Sequence, residues 1–225
     1  MNNDMVQFIE IIAENVVLFV KPILTPMASA FFGAWFASKI AEKRDRRKRE
    51  DEQVCSINVV VSSIAMNYNK ALSIKRQMLD EFREYNWRHI RIRPTIEVEA
   101  DKFHIDYKSI SFLLENDCRM LLHRISVAEE TFSCLVVLLN KRSQMHCENI
   151  QVKFEKNNIP TSSELTEGRV VEIIGVMTNE NMKSITNEMY DYCDAAIEIS
   201  YDVASELSDA AIKMFPGRTI LKFER

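Results

Sequence analysis

The chain has 225 residues, a formal net charge of −4, and only four glycines and five prolines. So few turn-forming residues argue against a fold built on many tight turns and favour long helices. The five cysteines (Cys55, Cys118, Cys134, Cys147 and Cys193) are scattered, with no C-x-x-C among them, and this excludes the usual spacing of a structural zinc site.

Residues 4–20 carry Phe8, Ile11, Ile12 and Phe19 near helical spacing, interrupted by Glu10 and Glu14. This segment fits an amphipathic helix lying in a membrane interface, and equally a continuation of a span beyond a kink at Lys21–Pro22.

Pro22 to Ser38 contains no charged residue. Val16–Val20 and Ile40 extend the apolar character beyond Lys21 and Lys39, whose long stems can snorkel. The length reaches the lower bound, roughly 17 residues, for a helix crossing a bilayer. A transmembrane helix over 22–41 is expected; the alternative is a buried core helix. Ser29, Gly33 and Ala37 are spaced by four, as are Ala30, Ala34 and Ser38, and small residues at that spacing let two helices approach closely in lipid. Phe31, Phe32, Trp35 and Phe36 take the rest of the surface.

The apolar run ends in Lys39, Lys43, Arg44, Arg46, Arg47, Lys48 and Arg49, whereas Asp4, Glu10 and Glu14 precede it. Basic residues favour the cytoplasmic side and contact anionic headgroups. This predicts an outward N-terminal segment (1–21), a single span (22–41) and a cytoplasmic helical domain (42–225). The cysteines would then be reduced thiols, buried as small apolar side chains.

Glu42 to Tyr85 reads as one long helix with a seam at Val54, Ile57, Val61, Ile64, Tyr68, Ala71, Met78, Phe82 and Tyr85, broken by Lys75. Pro94 interrupts the pattern. Before it, Arg88, Arg91 and Arg93 stand beside Trp87, a combination that can grip nucleic acid or a partner through phosphate contact and stacking. The alternative is a solvated loop, or arginines paired with the acidic C-terminal third. A short strand or extended arm is expected over TIEVEADKFHI, and a short helix over KSISFLLE. A longer helix capped by Asn116 or Asp117 should bury Leu121, Leu122, Ile125, Ala128, Phe132, Leu135 and Leu139. NNIPTSSELTEG is an interhelical break, with Thr161–Ser163 as caps. The last helical region, 164–214, buries Met182, Ile185, Met189, Tyr192, Ala196, Ile199, Val203, Leu207, Ala210 and Met214, with an interruption expected at Asn179–Asn181. The tail RTILKFER is expected to lie extended against the bundle. The fold class is therefore all-α: an N-terminal transmembrane helix and a bundle of three to four long helices.

No phosphate-binding glycine loop, dinucleotide fingerprint, zinc-protease helix or serine elbow occurs, so no catalytic residue, metal ligand, cofactor or small-molecule substrate is assigned. Arg83 and His89 meet the loose R-x(4–6)-H spacing of all-helical HEPN ribonucleases, but Glu84 stands where that family usually has a polar residue after the arginine.

The order of parts, with the segments SFLLENDCRMLLHRISVAEETF and AAIKMFPGRTILKFE, resembles bacterial inner-membrane effectors of anti-phage systems, including those encoded beside retron reverse transcriptases. The resemblance implies abortive infection. The protein would be restrained by a reverse transcriptase with its multicopy single-stranded DNA, and on release would assemble as a homo-oligomer and disrupt the membrane. The competing expectation is a non-toxic membrane-tethered scaffold or sensor subunit.

Overall fold

The computed structural model describes residues 3–99, 104–115, 118–160 and 165–223; side chains are described from residue 27 onward, Ala28 and Glu167 excepted. Most of the described residues are helical, and none of them forms a strand. The chain divides into two compact units, Met1–Glu52 and Gln53–Arg225.

Helix α1 spans Asn3–Ile74; its part up to Glu52 belongs to the first unit and the rest to the second. Met27, Phe31, Phe32, Trp35, Phe36 and Ile40 are all 48–69% exposed. Among the described residues no helix is long and apolar enough to cross a membrane. The expected span over 22–41 takes in residues 22–26 and Ala28, whose side chains lie outside the description, as do those of residues 4–20 and Lys21. Ion pairs Lys39–Glu42, Arg46–Glu50 and Lys48–Glu52 stitch successive turns. All are exposed to solvent, which screens them, so they add little to stability.

The second unit is the bundle. Its long members are the end of α1, α3 (Arg119–Met145) and α6 (Val176–Met214), with short helices α2 (Arg88–Arg91), α4 (Val152–Lys156) and α5 (Glu167–Ile174). Apolar residues at three-and-four spacing drive the packing. One core joins Ile57, Val60, Val61 and Ile64 of α1 to Leu121, Ile125 and Ala128 of α3 and to Val203, Ala204 and Leu207 of α6. A second joins Tyr68, Ala71 and Ile74 to Phe132, Leu135 and Leu139 and to Met189, Tyr190, Cys193 and Ala196. Each fully buried aliphatic or aromatic side chain contributes about 1.5–3 kcal/mol.

The α1 seam does not continue in phase to Tyr85. A π-helical turn, Lys75–Leu79, succeeds α1, then a 3₁₀ turn, Asp80–Phe82. A wide turn inserts a residue into the helical repeat and rotates the turns after it. Leu79 is therefore fully buried, Met78 and Phe82 are half-buried, and Tyr85 is 59% exposed. Of TIEVEADKFHI (95–105), residues 95–99 form an arm without regular structure, not a strand, and Thr95 and Val98 pair with side chains of α3; residues 100–103 lie outside the described residues. KSISFLLE forms a 3₁₀ turn, Ser111–Leu114. The expected caps Asn116, Asp117 and Thr161–Ser163 lie outside the described residues. After α3 a second π turn, His146–Gln151, carries the chain into α4.

The last helical region breaks at Gly175, not at Asn179–Asn181. Gly175 has φ 87° and ψ 146°, a region open essentially to glycine alone. Asn179 is instead a buried residue of α6. On α6, Tyr192 is exposed, while the neighbouring Tyr190 and Cys193 take the core. The tail runs extended: Asn58 Nδ2 donates to the Thr219 carbonyl at 3.1 Å, and the Leu221 N–H donates to Asn58 Oδ1 at 2.9 Å.

Candidate functional site

Two regions carry the residues singled out by the sequence. The first is residues 27–49 of α1. Ser29, Ala30, Gly33, Ala34 and Ala37 are all exposed, interleaved with the exposed aromatic side chains. A Cβ built on Gly33 meets nothing within 4 Å, so its surface is open to a close-packed neighbour. Lys39, Lys43, Arg44, Arg46, Arg47, Lys48 and Arg49 come next, all exposed. Single scattered hydrophobics are ordinary on a protein surface, but a run of exposed aromatics is not.

The second region is a cation-rich shelf where the end of α1, α2 and α6 meet. Asp194 of α6 accepts from Lys75 Nζ at 2.7 Å and from Arg83 Nη2 at 3.0 Å. Partial burial works to raise the Asp194 pKa, but the two cationic donors outweigh it and hold the carboxylate below its ordinary value. Arg88 lies over the Tyr190 ring at 4.3 Å and Arg83 at 5.1 Å. Arg88 also donates to the Arg83 carbonyl at 3.0 Å and to Asn187 Oδ1 at 2.8 Å. Such cation–π contacts contribute about 0.5–2 kcal/mol.

The four residues read from the sequence as a contact surface are thus placed differently from one another. Trp87 stacks on His89, ring centroids 5.8 Å apart, and packs against the small third core formed by Ile150, Val170, Ile174 and Met182. Arg88 is half-buried and engaged with Tyr190. Arg91 and Arg93 are exposed. Sequence reasoning missed Lys75 and Arg83 as members of the shelf. Their signal was the acidic third of the chain, which supplies Asp194.

Arg83 and His89 are engaged in different places. Arg83 is taken up by Asp194, Asp80 and Tyr190, while His89 is 1% exposed and hydrogen-bonded through Nε2 to Asn179 Oδ1 at 2.9 Å.

Behind the shelf lies Arg142, fully buried. Its Nη2 donates to the carbonyls of His89 (3.1 Å) and Ile92 (2.6 Å), and its Nε to Thr186 Oγ1 (3.2 Å). These bonds tie α2 and the start of the arm to α3 and α6. Burial pushes the guanidinium pKa down to about 10. His146, one turn on, donates through Nε2 to the Ile90 carbonyl at 3.2 Å. Its pKa is lowered, first by burial and then by the Arg142 charge.

A cleft of about 510 Å³ opens beside the π turn, lined by Tyr68, Leu72, Lys75, Arg76, Ile197 and Phe223, among others. Among the described residues no three His, Cys, Asp or Glu side chains gather where they could hold a metal ion. Burial, expected of all five cysteines, holds for Cys193 alone: Cys118 and Cys134 are half-buried, and Cys55 and Cys147 are exposed thiols.

No protein-family model matches the chain, and neither the curated proteins nor the solved structures yield a match.

Proposed function

We propose that the chain is a membrane-anchored effector of bacterial anti-phage defence. Its apolar stretch seats one helix in the inner membrane with the N-terminus outside, and the bundle stands in the cytoplasm. The bundle is restrained by a partner, a reverse transcriptase with its multicopy single-stranded DNA. Release lets the helices associate through Ser29, Gly33 and Ala37 and breach the bilayer. The exposed Arg91 and Arg93 beside the shelf are the charges offered to that partner.

The observation that carries this reading is the exposure of Met27, Phe31, Phe32, Trp35, Phe36 and Ile40, with the basic run Lys39–Arg49 directly after them. Six large apolar side chains in water on one helical stretch would be costly, and lipid removes that cost. The open surface at Gly33 supports close helix pairing.

The test is expression of the full chain, with and without the proposed partner, while membrane fractionation, membrane potential and growth are monitored. The expected result is a membrane-bound protein that depolarises cells and is silenced by Gly33→Leu. Recovery of the chain in the soluble fraction overturns the anchor. Unchanged potential and growth at high expression without the partner overturn the effector and leave a membrane tether.

A further inference from the structure

From Lys39 to Glu52, twelve of fourteen residues are charged; from Gln53 to Asn69 none of seventeen is. The buried side of that uncharged stretch is explained by Ile57, Val60, Val61, Ile64 and Tyr68, which enter the bundle. The other side is not buried. Cys55, Val59, Ser62, Met66 and Asn69 recur at steps of four and three, and all are exposed, Val59 at 60% and Met66 at 55%. The outer face of a bundle helix ordinarily carries the charged residues. Here it is a narrow stripe of two large apolar side chains among small ones, without a charge along its length.

We propose that this stripe is the contact between two copies of the chain, packed as a parallel pair of α1 helices over residues 55–69. The charge pattern selects the occupant. In a two-fold contact each copy presents the same patch, and in a parallel pair each residue meets its own counterpart. Any charge on the stripe would face its like, and Gln53–Asn69 carries none. Beyond it Lys70 ends the permitted stretch. Cys55 and Ser62 keep the helices close enough for Val59 and Met66 to interdigitate, in the manner of a heptad seam. The parallel arrangement rests on the anchor proposed above, since two chains held by their N-terminal spans in one membrane enter the cytoplasm side by side. The contact would unite the cytoplasmic bundles whether or not the spans have assembled.

The test is oxidative cross-linking of the full chain in membranes. Copper–phenanthroline oxidises two juxtaposed thiols to a disulfide, which requires Cα atoms within about 7 Å. Cys55 and Cys147 are the two exposed thiols, so each serves as the control for the other. In a Cys147→Ser chain the expected result is a disulfide dimer on a non-reducing gel. In a Cys55→Ser chain, which keeps Cys147, that dimer is absent. Val59→Glu and Met66→Lys, both on exposed positions that leave the core intact, should each cut the Cys55 dimer at least tenfold. Absence of the Cys55 dimer, equal cross-linking through Cys147, or insensitivity to both substitutions overturns the contact. Gly33→Leu separates the two proposals: loss of toxicity with an intact Cys55 dimer supports both, whereas loss of the Cys55 dimer as well shows that the stripe is no contact of its own. A Cys55 dimer from a chain recovered in the soluble fraction sinks the anchor and leaves the contact standing.

Discussion

Asn140 holds Val98 by both backbone groups of that residue: its Nδ2 donates to the Val98 carbonyl at 2.8 Å, and its Oδ1 accepts the Val98 N–H at 3.0 Å. A side-chain amide on α3 thus does what a peptide group of a neighbouring strand would do. Thr95 adds a second hold, its N–H reaching Ser143 Oγ at 3.1 Å. An alternating sequence without a sheet to join keeps its extended shape this way. Asn58 gives the same service to the tail at Thr219 and Leu221.

Asn140→Leu should therefore release the arm. Two partly buried backbone groups lose their partners, at about 1–3 kcal/mol for each left unsatisfied. Asn140→Asp should cost as much or more, since it keeps the acceptor but turns a carboxylate oxygen toward the Val98 carbonyl. Urea denaturation should show a lower midpoint for both. Amide hydrogen exchange at Val98 should rise before global unfolding.

Arg142 makes a sharper case. It has three hydrogen bonds, two of them to main-chain carbonyls, and the groups it bonds are not carboxylates. Arg142→Met keeps the bulk and removes the buried charge, but strands the carbonyls of His89 and Ile92. The net loss should be about 2–4 kcal/mol, because unsatisfied buried acceptors outweigh the relief of desolvation. Arg142→Lys retains a cation but not the planar fork, and should recover only part of the loss. Chemical denaturation midpoints of the three proteins should fall in the order wild type, lysine, methionine.

The bundle was legible where period and burial agree. On α3, Leu121, Ile125, Ala128, Phe132, Leu135 and Leu139 fall where their spacing puts them. The expected phase failed where the helix widens at Lys75–Leu79, because nothing local in KRQML marks a π turn. Tyr190 and Cys193 were missed in favour of Tyr192 because one polar position in either direction looks alike in a Tyr-Asp-Tyr-Cys run. Arg142 lay hidden for a general reason: KRSQ reads as a solvated face, and only the carbonyls of distant residues make its burial tolerable. The Asn140 and Asn58 clamps are tertiary contacts across 42 and more than 160 positions and leave no sequence period.

Gly175 separates α5 from α6 at a backbone conformation that side chains oppose. No neighbouring atom lies within 4 Å of a Cβ built there, so a substitution meets strain in the main chain alone. Gly175→Ala should destabilise the protein by about 1–3 kcal/mol. Gly168, inside α5 and also in open space, offers the contrast. Gly168→Ala should stabilise by about 0.5–1 kcal/mol, through helix propensity. Thermal melts of the two variants should move in opposite directions.

His146 couples the fold to pH. Its folded-state pKa lies below the ordinary histidine value, from burial first and from the Arg142 charge second, with the Ile90 carbonyl opposing both. A depressed histidine pKa means that the unfolded chain binds the proton more readily, so stability is fully present above about pH 6.5 and declines as pH falls below it. The decline levels off once the folded protein is protonated as well. His146→Gln retains a donor for the Ile90 carbonyl and cannot titrate. Urea midpoints measured from pH 7.5 down to 5.5 should fall more steeply for the wild type than for His146→Gln, and parallel slopes would remove His146 as the origin.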